Sequence, residues 1–536
     1  MRIPFGLFSV VAAAIVAVWW WLGAPIQMPP SPLYPGEKLT CISYAPFRGD
    51  QNPLNSSTRV EPRQIEEDLA RLAAVSNCIR TYSTDFGLDQ VPEIARRHGL
   101  KLLQGLWLSS HADKSREQIE TAVRLANRYP DVISAVIVGN EVLLRGEMSA
   151  LDLANTIRAV KSRVPMRVTY ADVWEFWLRH REVYEAVDFV TIHILPYWED
   201  FPIPASAAAA HVDSIRQKLV AAFPNKEILI GEVGWPSAGR MREGAWPSPV
   251  NQARVLHDVL ALAKRENFRV NVIEAFDQPW KRYLEGTVGG HWGLFDADTR
   301  GFKFAWGGAV SNHPHWLWQA AGGVTLALLT LAAAISAGRR RIAPAELRRP
   351  SWIGVAAMAL VSGIFVGWTI ENVVIESLGL DGWMRSLAWA GVAIAAPLLA
   401  AAALASGMAI PSFSRVLARA EDRPRQALPL ALGGGLIVIG VLALQAALGL
   451  VFDPRYRDFP FAAMTAAVVP YLALSLAGPR ALGVRGAAEA VFAAALGACA
   501  VYIAVNEGLA NWQALWFCAA LAGLSIILLR SRDAPD

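Results

Sequence analysis

The chain has little cysteine, little charge and no cofactor fingerprint. Four cysteines in 536 residues are too few for a disulfide framework, and none falls in a metal-ligand spacing with histidine. No metal and no cofactor are expected. No glycine-rich phosphate loop follows the first strand-like segment, where Tyr44-Ala45-Pro46-Phe47 stands instead, which counts against a doubly wound nucleotide-binding sheet. Charged residues make up only 18%, and the net charge of +4 largely reflects arginine clusters between apolar runs, so nucleic acid is not an expected partner. What is abundant is apolar: 54% hydrophobic residues exceed what one soluble protein of this length carries.

The apolar excess is uneven. Residues 30–314 carry most of the charge, and beyond Trp316 long apolar runs dominate. Eight candidate spans approach the roughly 20 residues that cross a bilayer core: Phe5–Leu22, 316–337, 352–371, 386–409, 427–451, 460–478, 487–505 and 512–529. Arg2, the group Arg339, Arg340, Arg341, Arg348 and Arg349, the group Arg415, Arg419, Arg423 and Arg425, the pair Arg480 and Arg485, and the pair Arg530 and Arg532 then share one side. The alternate loops hold fewer, among them Arg385, Arg455 and Arg457. The positive-inside rule places both termini in the cytoplasm of a bacterial inner-membrane protein and residues 30–314 in the periplasm. A cleaved signal peptide is the other reading of the first span, but the run Trp19-Trp20-Trp21 favours a retained interfacial anchor. The expected domains are an anchor over 1–24, a proline-rich stiff spacer over 25–36, a globular domain over 37–314 and a seven-span helical region over 315–536. In the last, Glu371, Glu376, Asp381, Glu489 and Glu507 all fall near span ends, so no transport site is marked. The helices read as an anchoring bundle, or as a unit docking the domain to a membrane partner.

Strand-like segments recur between helical ones throughout 37–314: Leu39–Tyr44, Asn77–Tyr82, Lys101–Trp107, Ile133–Gly139, Met166–Tyr170, Phe189–Ile194, Ile228–Glu232 and Asn271–Phe276. Eight such units in that length predict a (β/α)₈ TIM barrel, beside an all-α transmembrane bundle. Cys41 and Cys78 then lie on neighbouring strands. A disulfide is allowed in an oxidising compartment, but barrel strands rarely give its geometry, so two buried free thiols are expected. Cys499 and Cys518 fall within spans.

Two strands stop at a glutamate: Val136-Ile137-Val138-Gly139-Asn140-Glu141 and Ile228-Leu229-Ile230-Gly231-Glu232. The C-terminal ends of barrel strands are where active sites form, and two carboxylates there are the minimum for cleaving a glycosidic bond. Asn140 can hydrogen-bond a sugar hydroxyl. Trp235 and Trp280, among many tryptophans in the strand-end loops, are expected to face sugar rings.

At this point the domain resembles glycoside hydrolase family 17, the β-1,3-glucanases and β-glucan transglycosylases. The matching segments are Ile79-Arg80-Thr81-Tyr82, Val138-Gly139-Asn140-Glu141-Val142, Pro196-Tyr197, Gly231-Glu232-Val233-Gly234-Trp235-Pro236-Ser237, Phe276-Asp277 with Trp280-Lys281, and Trp292-Gly293-Leu294-Phe295. The resemblance implies a retaining enzyme with Glu141 as acid/base and Glu232 as nucleophile, acting on β-glucan. It also implies a substrate site drawn from Tyr44, Arg80, Tyr82, Asn140, His193, Tyr197, Trp235, Asp277, Gln278, Trp280 and Lys281. Burial and a neighbouring negative charge are expected to raise the Glu141 pKa. The chain departs from the family at Gln278, where many members carry glutamate, and at His193, where many carry asparagine. The expected partners are a β-glucan chain, the lipid bilayer and a glucan synthase or export machinery. Membrane tethering favours a glucosyltransferase that elongates or branches β-1,3 or β-1,6 glucan over a hydrolase, with a non-catalytic glucan sensor as the reading of another class.

Overall fold

A computed structural model describes residues 2–339, 349–418, 424, 426–479 and 486–531. Arg340, Arg341, Arg348, Arg419, Arg423, Arg425, Arg480, Arg485 and Arg532, used above for orientation, lie outside the described residues. The chain divides into two compact units: Ile26–Ala238 with Gly244–Val310, and Met1–Pro25 with Gly239–Glu243 and Ser311–Asp536.

The first unit is a closed barrel of eight parallel strands. They are β1 (Cys41–Ser43), β2 (Cys78–Arg80), β3 (Lys101–Leu106), β4 (Ile133–Asn140), β5 (Arg167–Val173), β6 (Val190–His193), β7 (Ile228–Val233) and β8 (Arg269–Val272), each hydrogen-bonded to the next and β8 back to β1. Buried on both faces, the strands are apolar runs rather than alternating ones. Cys41, Cys78, Leu103, Ala135, Ile137, Ala171 and Leu229 form one buried cluster, while Val136, Val138 and Ile230 pack in the larger core shared with the helices. Strand alternation carries this division up the barrel, so Arg80 points to the same interior as Cys78 two residues before it.

Helices follow the amphipathic pattern. Helix α1 (Pro62–Val75) buries Ile65, Leu69 and Leu72, with proline at its first position, where the missing N–H costs nothing. A later helix, Pro249–Arg265, starts at Ser248, whose side chain accepts from the Asn251 amide. The expectation of two free thiols is corrected: Cys41 and Cys78 form a disulfide across a Cα–Cα distance of 4.3 Å. They precede the paired residues Ile42 and Ile79 in the parallel ladder, so both side chains enter the barrel interior side by side.

The second unit is helical. Among the described residues seven helices are long and apolar enough to cross a membrane: Gly6–Gly23, Trp316–Arg339, Ser351–Glu376, Gly379–Ser406, Ala427–Phe452, Ala487–Glu507 and Trp512–Arg530. The eighth expected span is the shorter apolar helix Phe461–Ala477. Small residues permit close packing here, since a Cβ on Gly323 would lie 2.2 Å from the Gly363 carbonyl oxygen.

Candidate active site

Both glutamates lie at the C-terminal ends of their strands, and the local backbone explains how. At the end of β4 the chain turns sharply, with φ of 88° at Gly139 and 52° at Glu141. A left-handed glutamate is uncommon and needs support. The Glu141 amide donates to the Ala171 carbonyl at 2.8 Å, and its own carbonyl accepts the Arg145 amide at 2.9 Å. The Arg145 guanidinium donates to the Asn140 carbonyl through Nε at 3.2 Å and Nη2 at 3.0 Å, and to the Leu108 carbonyl at 2.8 Å. It also sits 4.1 Å over the Trp107 ring. Glu232 lies within β7 itself and is 4% exposed.

Four further side chains join the two carboxylates. His193 Nδ1 lies 2.8 Å from Glu141 Oε1, and its Nε2 lies 3.5 Å from Glu232 Oε1. One ligand-type atom from each of Glu141, His193 and Glu232 lies within 4.8 Å of the others. Arg80, 1% exposed, donates through Nη1 to the Gly231 carbonyl at 2.7 Å and to Glu232 Oε1 at 3.1 Å. Its Nη2 donates to Asn140 Oδ1 at 2.5 Å. The Tyr82 hydroxyl donates to Glu232 Oε1 at 2.9 Å. Arg80, Tyr82 and His193 all meet one oxygen of Glu232, its Oε1. Burial and the Glu232 charge push the Tyr82 phenol well above its ordinary range, which keeps it a donor.

The Glu141 expectation is corrected. Burial does push its carboxyl up, but the His193 hydrogen bond, with the Arg80 and Arg145 charges, outweighs it, and the net shift is downward. Replacing His193 with Ala, which removes that hydrogen bond, is expected to move the alkaline limb of the kcat/KM profile upward by about one pH unit. A pH–rate series on the two proteins checks this; an unmoved limb contradicts it. The carboxylate–histidine trio has a metal-type donor set. Arg80 argues against a dication there: its fixed positive charge already contacts Glu232, with both terminal nitrogens 3.4 Å from His193 Nε2.

The profile of the BtgE/BtgC glycoside hydrolase domain matches residues 41–293. The glucan 1,3-beta-glucosidase of Saccharomyces cerevisiae is 25% identical over 264 residues, which is 45% of this chain and 84% of that protein. The probable beta-glucosidase btgE of Aspergillus fumigatus is 29% identical over 225 residues, 41% of this chain and only 39% of its own length. The solved β-1,3-glucanosyltransferase of Rhizomucor miehei, an active-site mutant in complex with laminaritriose, is 27% identical, covers 51% of this chain and 97% of its own, and superposes with a TM-score of 0.45. The barrel is similar to the glycoside hydrolase domains of these proteins.

In the barrel the structure brings Arg80, Tyr82 and His193 onto the two glutamates, with Asn140 held by Arg80. Lys281 contacts a different carboxylate: its Nζ donates to Glu274 at 2.9 and 3.1 Å. Glu274 is buried and pushed up to about 7, by burial first, against Lys281 and with the charges of Glu285 and Glu232. The remaining candidates are held in the surrounding packing. Tyr44 donates to Asp68 at 3.2 Å. Tyr197 is buried among the Trp198, Trp235 and Trp292 rings. Asp277 accepts from Lys303 at 2.7 Å and from the Gly293 amide at 2.8 Å. Gln278 donates to the Ala45 carbonyl and accepts the Trp280 indole N–H at 2.8 Å. Trp280 is half-buried and meets Phe47 edge-on. The expectation of a sugar-facing Trp235 is corrected: it is 0% exposed and donates its indole N–H to the Trp246 carbonyl.

Sequence reasoning missed Glu274, although Val272-Ile273-Glu274 repeats the pattern of a strand stopping at a glutamate. It also missed Arg145, four residues beyond Glu141, and Asp172. The expected fifth strand stopped at Tyr170, whereas β5 continues to Val173 and carries Asp172 to the strand end.

Proposed function

We propose that this chain is a membrane-bound retaining enzyme acting on β-1,3-glucan, with transfer to a second sugar as its main reaction. One observation carries the retaining reading: ligand oxygens of Glu141 and Glu232 lie within 4.8 Å of one another. An inverting pair stands about 6.5–9.5 Å apart to admit a water, whereas a retaining pair at about 5–5.5 Å lets one carboxylate attack directly. The glucan substrate is supported by the relatives' names, and by the agreement of Arg80, Asn140, His193 and Tyr82 around the glutamates.

The roles follow from the hydrogen bonds. Arg80 and Tyr82 fix Glu232 through Oε1, leaving Oε2 to bond the anomeric carbon. As that bond forms, the bond to the leaving sugar breaks, and its oxygen takes the proton held by Glu141. In the second step an acceptor hydroxyl gives its proton to Glu141. Its oxygen bonds the anomeric carbon, and the ester electrons return to Glu232. The Arg80 nitrogens only donate, so the facing His193 Nε2 is assigned as an acceptor, with the ring proton on Nδ1 aimed at Glu141.

Hydrolysis shares the intermediate and is the second reading. The seven long apolar helices support a membrane attachment. With the arginine pattern of the sequence, we place the barrel in the periplasm of a bacterial inner membrane, where an exported glucan would be remodelled. Laminarioligosaccharides incubated with the full chain should give products both longer and shorter than the donor by mass spectrometry. Shorter products alone end the transferase reading.

A further inference from the structure

Asp172 is a buried acid that the proposed double displacement does not use. It is 0% exposed, at the end of β5, the strand beside that of Glu141. Its Oδ1 accepts the Val173 amide at 2.7 Å, and its Oδ2 accepts the Tyr170 hydroxyl. That hydroxyl in turn accepts the Leu143 amide at 3.0 Å, two residues past Glu141. The preceding residue of the same strand, Ala171, accepts the Glu141 amide. Residues 170–172 thus grip the left-handed turn on both sides of Glu141.

We propose that Asp172, acting through Tyr170, is a positioning residue that sets the orientation and proton affinity of the Glu141 carboxyl. The inference rests on the reading of Glu141 as the acid/base. Two arguments carry it. Tyr170 has one proton, and committing it to Asp172 turns the phenol oxygen toward Leu143 as an acceptor; without the carboxylate that orientation is not fixed. The second argument is charge. Asp172 faces Tyr170 on its own strand, Glu141 beyond β4, His193 on β6 and Arg145 in the loop after β4. Burial pushes Asp172 up to about 6 despite the Tyr170 bond, and the Glu141 charge adds to the rise. That coupling is mutual: an ionised Asp172 makes Glu141 hold its proton longer. It offsets the His193, Arg80 and Arg145 interactions that lower Glu141.

The test is Asp172→Asn in the full chain, read on two donors. One is a laminarioligosaccharide, whose leaving sugar needs a proton. The other is a dinitrophenyl β-glycoside of the same glucan, whose leaving group does not. The expected result is an alkaline limb of kcat/KM lowered by about one pH unit on the oligosaccharide, hence a fall of about tenfold at pH 7. The loss on the dinitrophenyl donor should be at least about fivefold smaller. Tyr170→Phe, which keeps the fold-neutral ring, should show the same split between donors. Equal losses on both donors, or an unmoved alkaline limb, overturn the proposal. Glu141→Ala is the control: if it cleaves the oligosaccharide as the parent does, the acid/base reading itself is wrong, and that outcome is distinct from a normal Glu141→Ala phenotype with a silent Asp172→Asn.

Discussion

Glu232→Gln is expected to lower kcat/KM on laminarioligosaccharides by about four orders of magnitude or more, comparable to removing the nucleophile in other covalent mechanisms. That corresponds to at least about 5 kcal/mol of lost transition-state stabilisation. The amide keeps the shape and can still accept from Tyr82, but cannot form an ester with the anomeric carbon. The same change leaves Arg80, 1% exposed, without its carboxylate, so some stability is lost as well. A circular dichroism melt therefore accompanies the assay, and activity is compared below both melting points. Stereochemistry separates the two roles more sharply. With an activated donor and azide, Glu232→Ala should yield the α-glycosyl azide, because azide enters from the face the carboxylate vacates. Glu141→Ala should yield the β-azide, because the ester to Glu232 still forms and azide then displaces it. Full activity in Glu232→Gln, or the same anomer from both alanine variants, would falsify the assignment.

The barrel was legible because its strands are continuous apolar runs separated by amphipathic helices, a pattern set by burial on both faces. Glu141 and Glu232 were legible because each ends such a run. Boundaries were less so, and the cost fell on function: closing the fifth strand at Tyr170 hid Asp172, whose acid looked like the start of a loop. Trp235 shows the opposite error. A tryptophan just after a catalytic-type glutamate reads as a sugar platform, yet only the packing reveals that Tyr197 covers it and that its N–H satisfies a backbone carbonyl. The disulfide was hidden for a similar reason, since the stagger of two adjacent strands decides whether Cys41 and Cys78 face each other. The direction of the Glu141 shift needed the structure too. Burial was foreseeable, but His193 approaches from a strand 52 positions away and reverses it.

Asp68→Asn is expected to be the most destabilising conservative substitution in the barrel. Asp68 lies on α1, is 0% exposed, and accepts from Arg300 Nη2 on both oxygens at 2.8 and 2.7 Å. Arg48 donates to it at 2.5 Å and Tyr44 at 3.2 Å. It ties the loop after β1 and the segment after Phe295 to one helix. Arg300 depends on it most: the residue is buried with φ of 54°, and its Nε and Nη1 have no hydrogen-bond partner among the described residues. Its guanidinium carbon lies 3.6 Å from the Phe276 ring centroid, a contact that cannot replace a counter-charge. Removing one partner of a buried ion pair costs about 3–5 kcal/mol, because the remaining charge stays desolvated. For a barrel of this size that is a fall in Tm of roughly 6–20 °C. Arg48→Ala should cost less, about 1 kcal/mol, because the Arg48 side chain is 28% exposed and Asp68 keeps Arg300. Near-ultraviolet circular dichroism of the detergent-purified chain reads the barrel transition. If Asp68→Asn melts within about 2 °C of the parent, the ion pair contributes little net stability, and Arg300 must be solvated in a way the packing around Phe276 does not allow.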